Sequence, residues 1–388
     1  MTAPPRGFPE AEFRARLARA QARMSDAGFA ALLLTTEPEV RYFTGFLTRF
    51  WESPTRPWFL IVPAAGDPVA VIPAIGAPLM ARTWIADIRT WRAPDLQDDG
   101  VSLLAATLRE LAGTSGEIGL PMGHETHLRM PLAGYARLQA ALSPSRLRDD
   151  AGILRALRMV KSEPEIARVR EACAIAGRAF ARVPEIAAPG RPLDQVFRRF
   201  QILCLEEGAD WVPYLAGGAG RLGYGDVISP ATPAPLSEAD ILMLDTGLVY
   251  DGYFCDYDRN FALGAPSPEA ASAHARLIDA VEAAMEIARP GATAADLFHA
   301  MDRILTGGGG GSEAGRYGHG LGMQLTEWPS LIPADQTVLE AGMVLTLEPG
   351  IETAPGLTLV HEENIVIRDG RAEFLSPAAG RALPQIGG

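Results

Sequence analysis

The stretch 241–261, ILMLDTGLVYDGYFCDYDRNF, constrains the fold of this chain more than any other segment. Two apolar, strand-like runs flank Asp251-Gly252, and an Asp-Gly pair in that setting is the strongest short-range hairpin signal a sequence offers. A two-residue turn fixes the register. Residues placed symmetrically about the turn then face each other, Asp245 opposite Asp258 and Gly247 opposite Asp256. Asp245 and Asp256 become diagonal neighbours on one face, roughly 7–8 Å apart at Cα. That separation lets two carboxylates converge on cations about 3.5–4 Å apart, the spacing of a two-metal hydrolytic centre.

Further donors follow in order: His319 in Gly318-His319-Gly320-Leu321-Gly322, Glu348 in Glu348-Pro349-Gly350, and the adjacent acids Glu362 and Glu363. Residues 358–367 read as a strand, so those two acids point to opposite faces and only one can join the set. Four carboxylates with a single imidazole are hard, anionic ligands. They favour Mn²⁺ or Fe²⁺ and tolerate Zn²⁺ or Co²⁺, and no thiolate pattern suggests a structural zinc site.

In these motifs the chain resembles the pita-bread metallohydrolases, the group of aminopeptidase P, prolidase, methionine aminopeptidase and the creatinases. Their pattern is a D-x-G strand, a second Asp eleven residues on in D-x-T-R, a G-H-G-[IL]-G loop, an E-P-G strand end and a final E-[DN]. Here the matching residues are Asp245-Thr246-Gly247, Asp256-Tyr257-Asp258-Arg259, Gly318-His319-Gly320-Leu321-Gly322, Glu348-Pro349-Gly350 and Glu363-Asn364. The resemblance implies two divalent metal ions, Mn²⁺ first, bridged by Asp256 and Glu363, with Asp245 on one side and His319 and Glu348 on the other. It makes Glu348 the group that takes a proton from the attacking water, and it selects Glu363 over Glu362. His361, two residues from Glu363, then shares its face and becomes a candidate catalytic imidazole or a group orienting Glu363.

The departures matter equally. The peptidases carry a second histidine seven positions after the G-H-G histidine, where this chain has Thr326 in Leu325-Thr326-Glu327. A further family histidine lies about seventeen residues before the first metal aspartate, and residues 220–226 contain none. The Thr of D-x-T-R is Asp258, which the hairpin register places on the ligand face as a candidate substrate or metal contact. The family's arginine two residues before its last glutamate corresponds to His361. Losing a general acid typically costs a factor of about 10²–10⁴. Hydrolysis of a small C–N bond, with an Xaa-Pro dipeptide or short peptide as substrate, is the leading expectation. A non-peptidase member, creatinase-like or a lyase acting on dimethylsulfoniopropionate, is the alternative; a metal-free binding module would be expected to lose ligands.

Composition fits a soluble enzyme of two domains: 388 residues, 48% hydrophobic, with 35 basic against 47 acidic side chains. No basic stripe supports nucleic-acid binding. No leader-like segment and no apolar run of about 18 residues is evident, so a cytoplasmic protein without membrane contact is expected. Cys173, Cys204 and Cys255 are widely spaced and odd in number, which suits a reducing compartment. Cys255 falls on the opposite hairpin face from Asp256 and reads as a core thiol.

The domain boundary falls near residues 154–161, giving an N-terminal domain over 1–155 and a catalytic domain over 156–388. The first alternates helix and strand and predicts a small α/β layer, and its Arg41-Tyr42-Phe43-Thr44-Gly45-Phe46 resembles an element of the creatinase and prolidase N-terminal domain. The second opens with Ser162 as N-cap and acids in the first turn of a helix. Helices over 268–288 and 294–305, interleaved with antiparallel strands, suit the α+β pita-bread fold. Gly307–Gly311 lacks the Lys-Ser/Thr of a phosphate loop and reads as a flexible approach to the site. His124 and His127 read as surface groups, and His274 and His299 as ordinary helical residues. The loop 48–58 packs Arg49, Trp51, Arg56 and Trp58 together, a composition suited to a ligand or to a subunit interface. By resemblance this loop could meet the active site of a partner in a homodimer, with Trp328 lining the pocket from the catalytic side.

Overall fold

A computed structural model of the chain describes residues 3–53, 56–310 and 315–387. The sequence-predicted aromatic loop and glycine run fall partly outside them, at 54–55 and 311. The chain forms two compact units, one spanning Arg6–Arg158 and the other running from Met159 onward, joined by the segment ending at Pro5. Among the described residues no helix is long and apolar enough to cross a membrane.

The N-terminal unit is built on a six-stranded sheet. Its strands are β1 (Ala31–Leu34), β2 (Phe59–Pro63), β3 (Val69–Pro73), β4 (Asp87–Trp91), β5 (Glu117–Leu120) and β6 (Arg146–Asp149), in the order β4-β3-β2-β1-β5-β6. The central strands are apolar throughout and buried on every residue, as expected of strands covered on both faces. Helices α1 (Glu10–Ala27), α2 (Glu37–Thr44), α3 (Ala77–Met80), α4 (Val101–Ala112), α5 (Leu132–Leu142) and α6 (Ile153–Met159) complete the α/β layer. The core on one side joins Leu33, Phe59, Ile61, Val71, Leu104, Leu108 and Leu138.

In the catalytic unit, α7 (Glu163–Ala181) starts where Ser162 and its neighbours predict. The Glu165 carboxylate accepts from the Ser162 N–H at 2.9 Å, closing the reciprocal cap that fixes the helix origin. Helix α8 (Leu193–Glu206) leads into β7 (Trp211–Gly220), which pairs with β8 (Ile241–Tyr250). The hairpin turns at Asp251 and Gly252, both with positive φ (49° and 80°), through β9 (Tyr253–Phe254) into β10 (Tyr257–Leu263). Its register is the one the two-residue turn dictates, with Asp258 opposite Asp245 and Tyr257 opposite Thr246. Helices α9 (Pro268–Ile287) and α10 (Ala294–Thr306) pack on the sheets through Leu277, Val281, Leu297, Phe298 and Met301.

A second sheet carries the remaining motifs in the order β12-β11-β13-β16-β17: β11 (Gly318–Gly320), β12 (Glu327–Ser330), β13 (Val344–Leu347), β16 (Glu363–Val366) and β17 (Glu373–Phe374). Strands β14 (Gly350–Ala354) and β15 (Leu357–Val360) pair with each other, and β18 (Gln385–Ile386) runs parallel to β10. The single strand expected over 358–367 is therefore two. β15 pairs with β14 and β16 with β13, and the backbone leaves one sheet for the other at His361-Glu362.

Candidate metal centre

The hairpin delivers Asp245 from inside β8 and Asp256 from just before β10. The second sheet delivers His319 from β11 and Glu348 from the end of β13. Gly318 holds φ +138°, and a Cβ there would lie 2.1 Å from the Thr346 carbonyl oxygen, so the G-H-G glycine is what lets β11 lie close against β13. The Glu348 N–H donates to the Tyr317 carbonyl at 2.9 Å, which fixes the residue just beyond the ladder. The His319 ring is oriented by Nδ1 against the Gly320 carbonyl at 2.8 Å. Its Nε2 then faces Glu348 Oε1 at 2.9 Å and Asp256 Oδ2 at 3.4 Å.

Two donor groups emerge among the described residues. Asp256, His319 and Glu348 offer atoms within 4.8 Å of one another, as do Asp245, Asp256 and Glu362. Asp256 belongs to both. Glu362, not Glu363, is the acid that joins them, which corrects the sequence expectation. Glu363 lies in the β16 ladder opposite Leu347 and turns to a different partnership. It accepts from Arg259 Nη2 at 3.0 Å, from the Ala379 N–H at 2.8 Å and from the Ser376 hydroxyl. Burial alone would raise its pKa, but Arg259 beside it prevails and holds it at about 2. The choice of Glu363 rests on the E-[DN] pattern; the two adjacent acids do turn to different sides, Glu362 to the donor group and Glu363 to Arg259.

His361 is enclosed beside Asp258 and Glu363. It is 1% exposed, with Nδ1 3.4 Å from Asp258 Oδ1, Nε2 3.2 Å from Glu363 Oε1 and the His274 ring 5.8 Å away. An imidazole so enclosed is not presented to a substrate. Asp258, 0% exposed, accepts from the Glu362 N–H at 2.8 Å and from Asn260 Nδ2 at 3.2 Å. It joins neither donor group. Thr326 is half-buried between β11 and β12. The Trp328 indole N–H is committed to Thr337 Oγ1 at 2.9 Å.

In the N-terminal unit Trp51 and Trp58 are buried against each other, centroids 5.5 Å apart, and against Phe46. Arg56 lies over Phe50 and Arg49 pairs with Glu52. This is internal packing, with the two indole faces already covered, rather than an open binding surface.

Four further residues matter locally: Tyr214 and Ser376 gave no signal in sequence, while Arg259 and Asn364 stand in the motifs without an assigned role. Tyr214 of β7 sits beside Asp245, its phenol pKa raised by burial and by that carboxylate. Asn364 clamps the hairpin end, its Oδ1 accepting from the Asp256 N–H at 2.9 Å and its Nδ2 donating to the Asp256 carbonyl. Ser376 and Arg259 hold Glu363 as described.

The electrostatics favour a cation. Burial and then the surrounding carboxylates push Asp245 and Glu362 well above the usual carboxylate range. Burial raises Asp256 to about 6 against the pull of His319. Burial opposes charge on His319, yet Glu348 and Asp256 outweigh it and raise the imidazole to about 10. Asp245 Oδ1 and Glu362 Oε2 are buried without a hydrogen-bond partner. Buried anionic oxygens left in this state are costly, and a shared divalent ion is the partner their chemistry fits.

Known proteins share this two-domain architecture. The model of metallopeptidase family M24 matches residues 167–369, and that of the creatinase/prolidase N-terminal domain matches residues 16–160. The probable dipeptidase PepE of Mycobacterium tuberculosis is 33% identical over 374 residues, 93% of each chain. This chain belongs to metallopeptidase family M24. It is a peptidase-type hydrolase of that metal-dependent family, with a creatinase-type N-terminal domain and a pita-bread catalytic domain. The Xaa-Pro dipeptidase of Pyrococcus horikoshii is 29% identical over 235 residues, 59% of this chain and 65% of its own. The crystal structure of dipeptidase PepE from Mycobacterium ulcerans superposes with a TM-score of 0.84 at 29% identity, covering 98% of this chain and 99% of that one. Prolidase from Thermococcus sibiricus, at 23% identity, shares the fold with a TM-score of 0.86 over 98% of this chain and all of its own.

His274 sets one pH-dependent property. Burial, then the neighbouring His361, lowers its pKa from 6.5 to about 4, so it is neutral in the fold, with Nε2 3.0 Å from the Gly380 carbonyl. An unfolded chain binds a proton at this residue below about pH 6.5 and the folded chain does not. Stability is therefore lost as pH falls from about 6.5 to 4, by up to about 1.4 kcal/mol per pH unit. In urea titrations of metal-free protein at pH 7 and pH 5, His274→Gln should show a smaller drop in midpoint than wild type. An equal drop in both would contradict this.

Proposed function

We propose that Asp245, Asp256, His319, Glu348 and Glu362 hold two divalent cations and that the protein hydrolyses short peptides, with Xaa-Pro dipeptides as the leading class. The observation that carries this is the pair of donor groups sharing Asp256, with Asp245 Oδ1 and Glu362 Oε2 buried and unpartnered. The names of the relatives above, dipeptidase and Xaa-Pro dipeptidase, support the substrate class. The oxygen-rich donor set supports Mn²⁺ first, with Fe²⁺, Zn²⁺ or Co²⁺ also accommodated.

Such a pair of ions supplies Lewis acidity for the scissile carbonyl and lowers the pKa of water to near neutrality. The chain's own residues do the rest. Asp256, reaching both groups, holds the centre together. Glu348, half-buried with Oε1 2.9 Å from His319 Nε2, accepts the proton released by the attacking water and returns it to the leaving nitrogen. In the metal-free chain His319 holds its pKa below the usual value despite burial. Tyr214 restrains Asp245 from the β7 side.

The test is turnover of a panel of Xaa-Pro and other dipeptides by metal-stripped protein with and without added Mn²⁺, reading free product amino acid. Mn²⁺-dependent release that is lost in His319→Ala is expected. Protein that takes up two cations but releases nothing from any dipeptide would sink the peptidase reading and favour creatinase-like or lyase chemistry, which the threonine at position 326 would then explain.

A further inference from the structure

We propose that Asp258 and His361 act as positioning residues, a buried carboxylate–imidazole pair that sets the backbone of Glu362 and so aims its carboxylate into the metal centre. This rests on the reading above that Glu362 holds a cation. Glu362 lies in the gap between β15 and β16, where the chain passes from one sheet to another and neither ladder restrains it. One backbone bond, from the His361 N–H to the Pro349 carbonyl at 3.1 Å, crosses that gap.

The rest of the restraint comes from side chains centred on Asp258. Its Oδ1 accepts the Glu362 N–H at 2.8 Å and lies 3.4 Å from His361 Nδ1, while Oδ2 accepts from Asn260 Nδ2 at 3.2 Å. Asn260 Nδ2 also donates to the Val360 carbonyl at 2.7 Å. The Tyr224 hydroxyl accepts the Val360 N–H at 2.8 Å and donates to Asn260 Oδ1 at 3.1 Å. On the far side, His361 Nε2 lies 3.2 Å from Glu363 Oε1, which Arg259 anchors. Residues 360–363 are thus gripped at every position.

A hydrogen bond to an ionised acceptor is shorter and roughly twice as strong as a neutral one. Asp258 occupies the place of the Thr in the D-x-T-R pattern, and His361 immediately precedes the metal acid. The two side chains meet in space, Nδ1 of His361 3.4 Å from Asp258 Oδ1, which a pair acting as one device explains. Because Asp258 also sits opposite Asp245 in the hairpin, the same carboxylate ties the last acid of the set to the strand bearing the first.

The experiment is a Co²⁺ titration of the full-length, metal-stripped protein, followed by visible absorption and calorimetry, with wild type, Asp258→Asn, His361→Gln and the double variant. Wild type should take up two ions. Asp258→Asn and His361→Gln should each weaken one of the two steps by about 10–100-fold, the usual consequence of losing an outer partner of a metal ligand. The other step should stay within about twofold, and the absorption band of the weakened step should change. The double variant should be little worse than Asp258→Asn alone, because the pair works as a unit. A general loss of packing would instead lower both steps together. If Asp258→Asn does not fold, His361→Gln carries the test from the other side of the pair. Two steps of wild-type affinity and spectrum in the folded variants would overturn the positioning role while leaving the metal centre standing. Wild-type protein taking up no Co²⁺, or Glu362→Gln retaining both steps unchanged, would overturn the metal reading and this proposal with it.

Discussion

Glu362→Gln should lower kcat/KM by more than about 100-fold and remove one of two bound cations, whereas Glu363→Gln should keep both cations and lose stability. The contrast follows from where adjacent acids point. Glu362 completes a donor group with Asp245 and Asp256 and has an unpartnered buried oxygen. Replacing a direct ligand should exceed the 10–100-fold effect typical of its outer partners. Glu363 instead neutralises the partly buried Arg259, whose guanidinium also donates to the Glu362 carbonyl at 3.0 Å. Removing one partner of a buried pair costs about 3–5 kcal/mol, because the remaining charge is left uncompensated. Steady-state kinetics, metal analysis and urea midpoints on the two variants separate the cases. If Glu363→Gln lost the cation and Glu362→Gln did not, the assignment made here would be wrong.

The second large effect lies at Lys161. Its Nζ is 3.0 Å from Glu327 Oε2 with side-chain exposures of only 2% and 6%, and it also donates to the Met159 carbonyl at 3.3 Å. Glu327 Oε1 accepts the Gln324 N–H at 3.1 Å, so the pair holds the loop between β11 and β12, where Thr326 lies. Lys161→Met should cost about 3–5 kcal/mol by stranding the glutamate. Lys161→Met combined with Glu327→Leu should recover much of that loss, since replacing both partners of a buried pair by apolar groups is often close to neutral. A double variant no more stable than Lys161→Met, measured by urea unfolding of the metal-free protein, would contradict this account.

The hairpin and most of the donor set were legible because local chemistry decides them. Asp251-Gly252 admits the positive φ values the turn needs, and the register of Asp245 and Asp258 follows without tertiary information. Ser162 and Glu165 likewise fix a helix origin from four residues. The choice between Glu362 and Glu363 was not legible. Alternation says only that the two acids face opposite ways, and the E-[DN] pattern pointed to Glu363, whereas the donor group in the structure contains Glu362. His361 was expected beside Glu363 and lies against it, with Asp258 and His274 closing around it. Strand β7 gave no signal of its own: it carries Gly217 and Gly218, and a Cβ at Gly217 would lie 2.1 Å from the Met243 carbonyl oxygen. The glycine is there to let backbones approach, and with the strand unseen Tyr214 could not be placed beside Asp245. The tryptophans at 51 and 58 pack on each other, and an aromatic cluster that does so has the same composition as one that binds a ligand.

The most direct test of the central claim is a crystal structure of the Mn²⁺-loaded protein with anomalous scattering collected at the manganese edge. Two peaks are predicted, one among Asp245, Asp256 and Glu362 and the other among Asp256, His319 and Glu348, with Glu363 remaining on Arg259. No peak between these side chains, or a peak coordinated by Glu363 in place of Glu362, would contradict it.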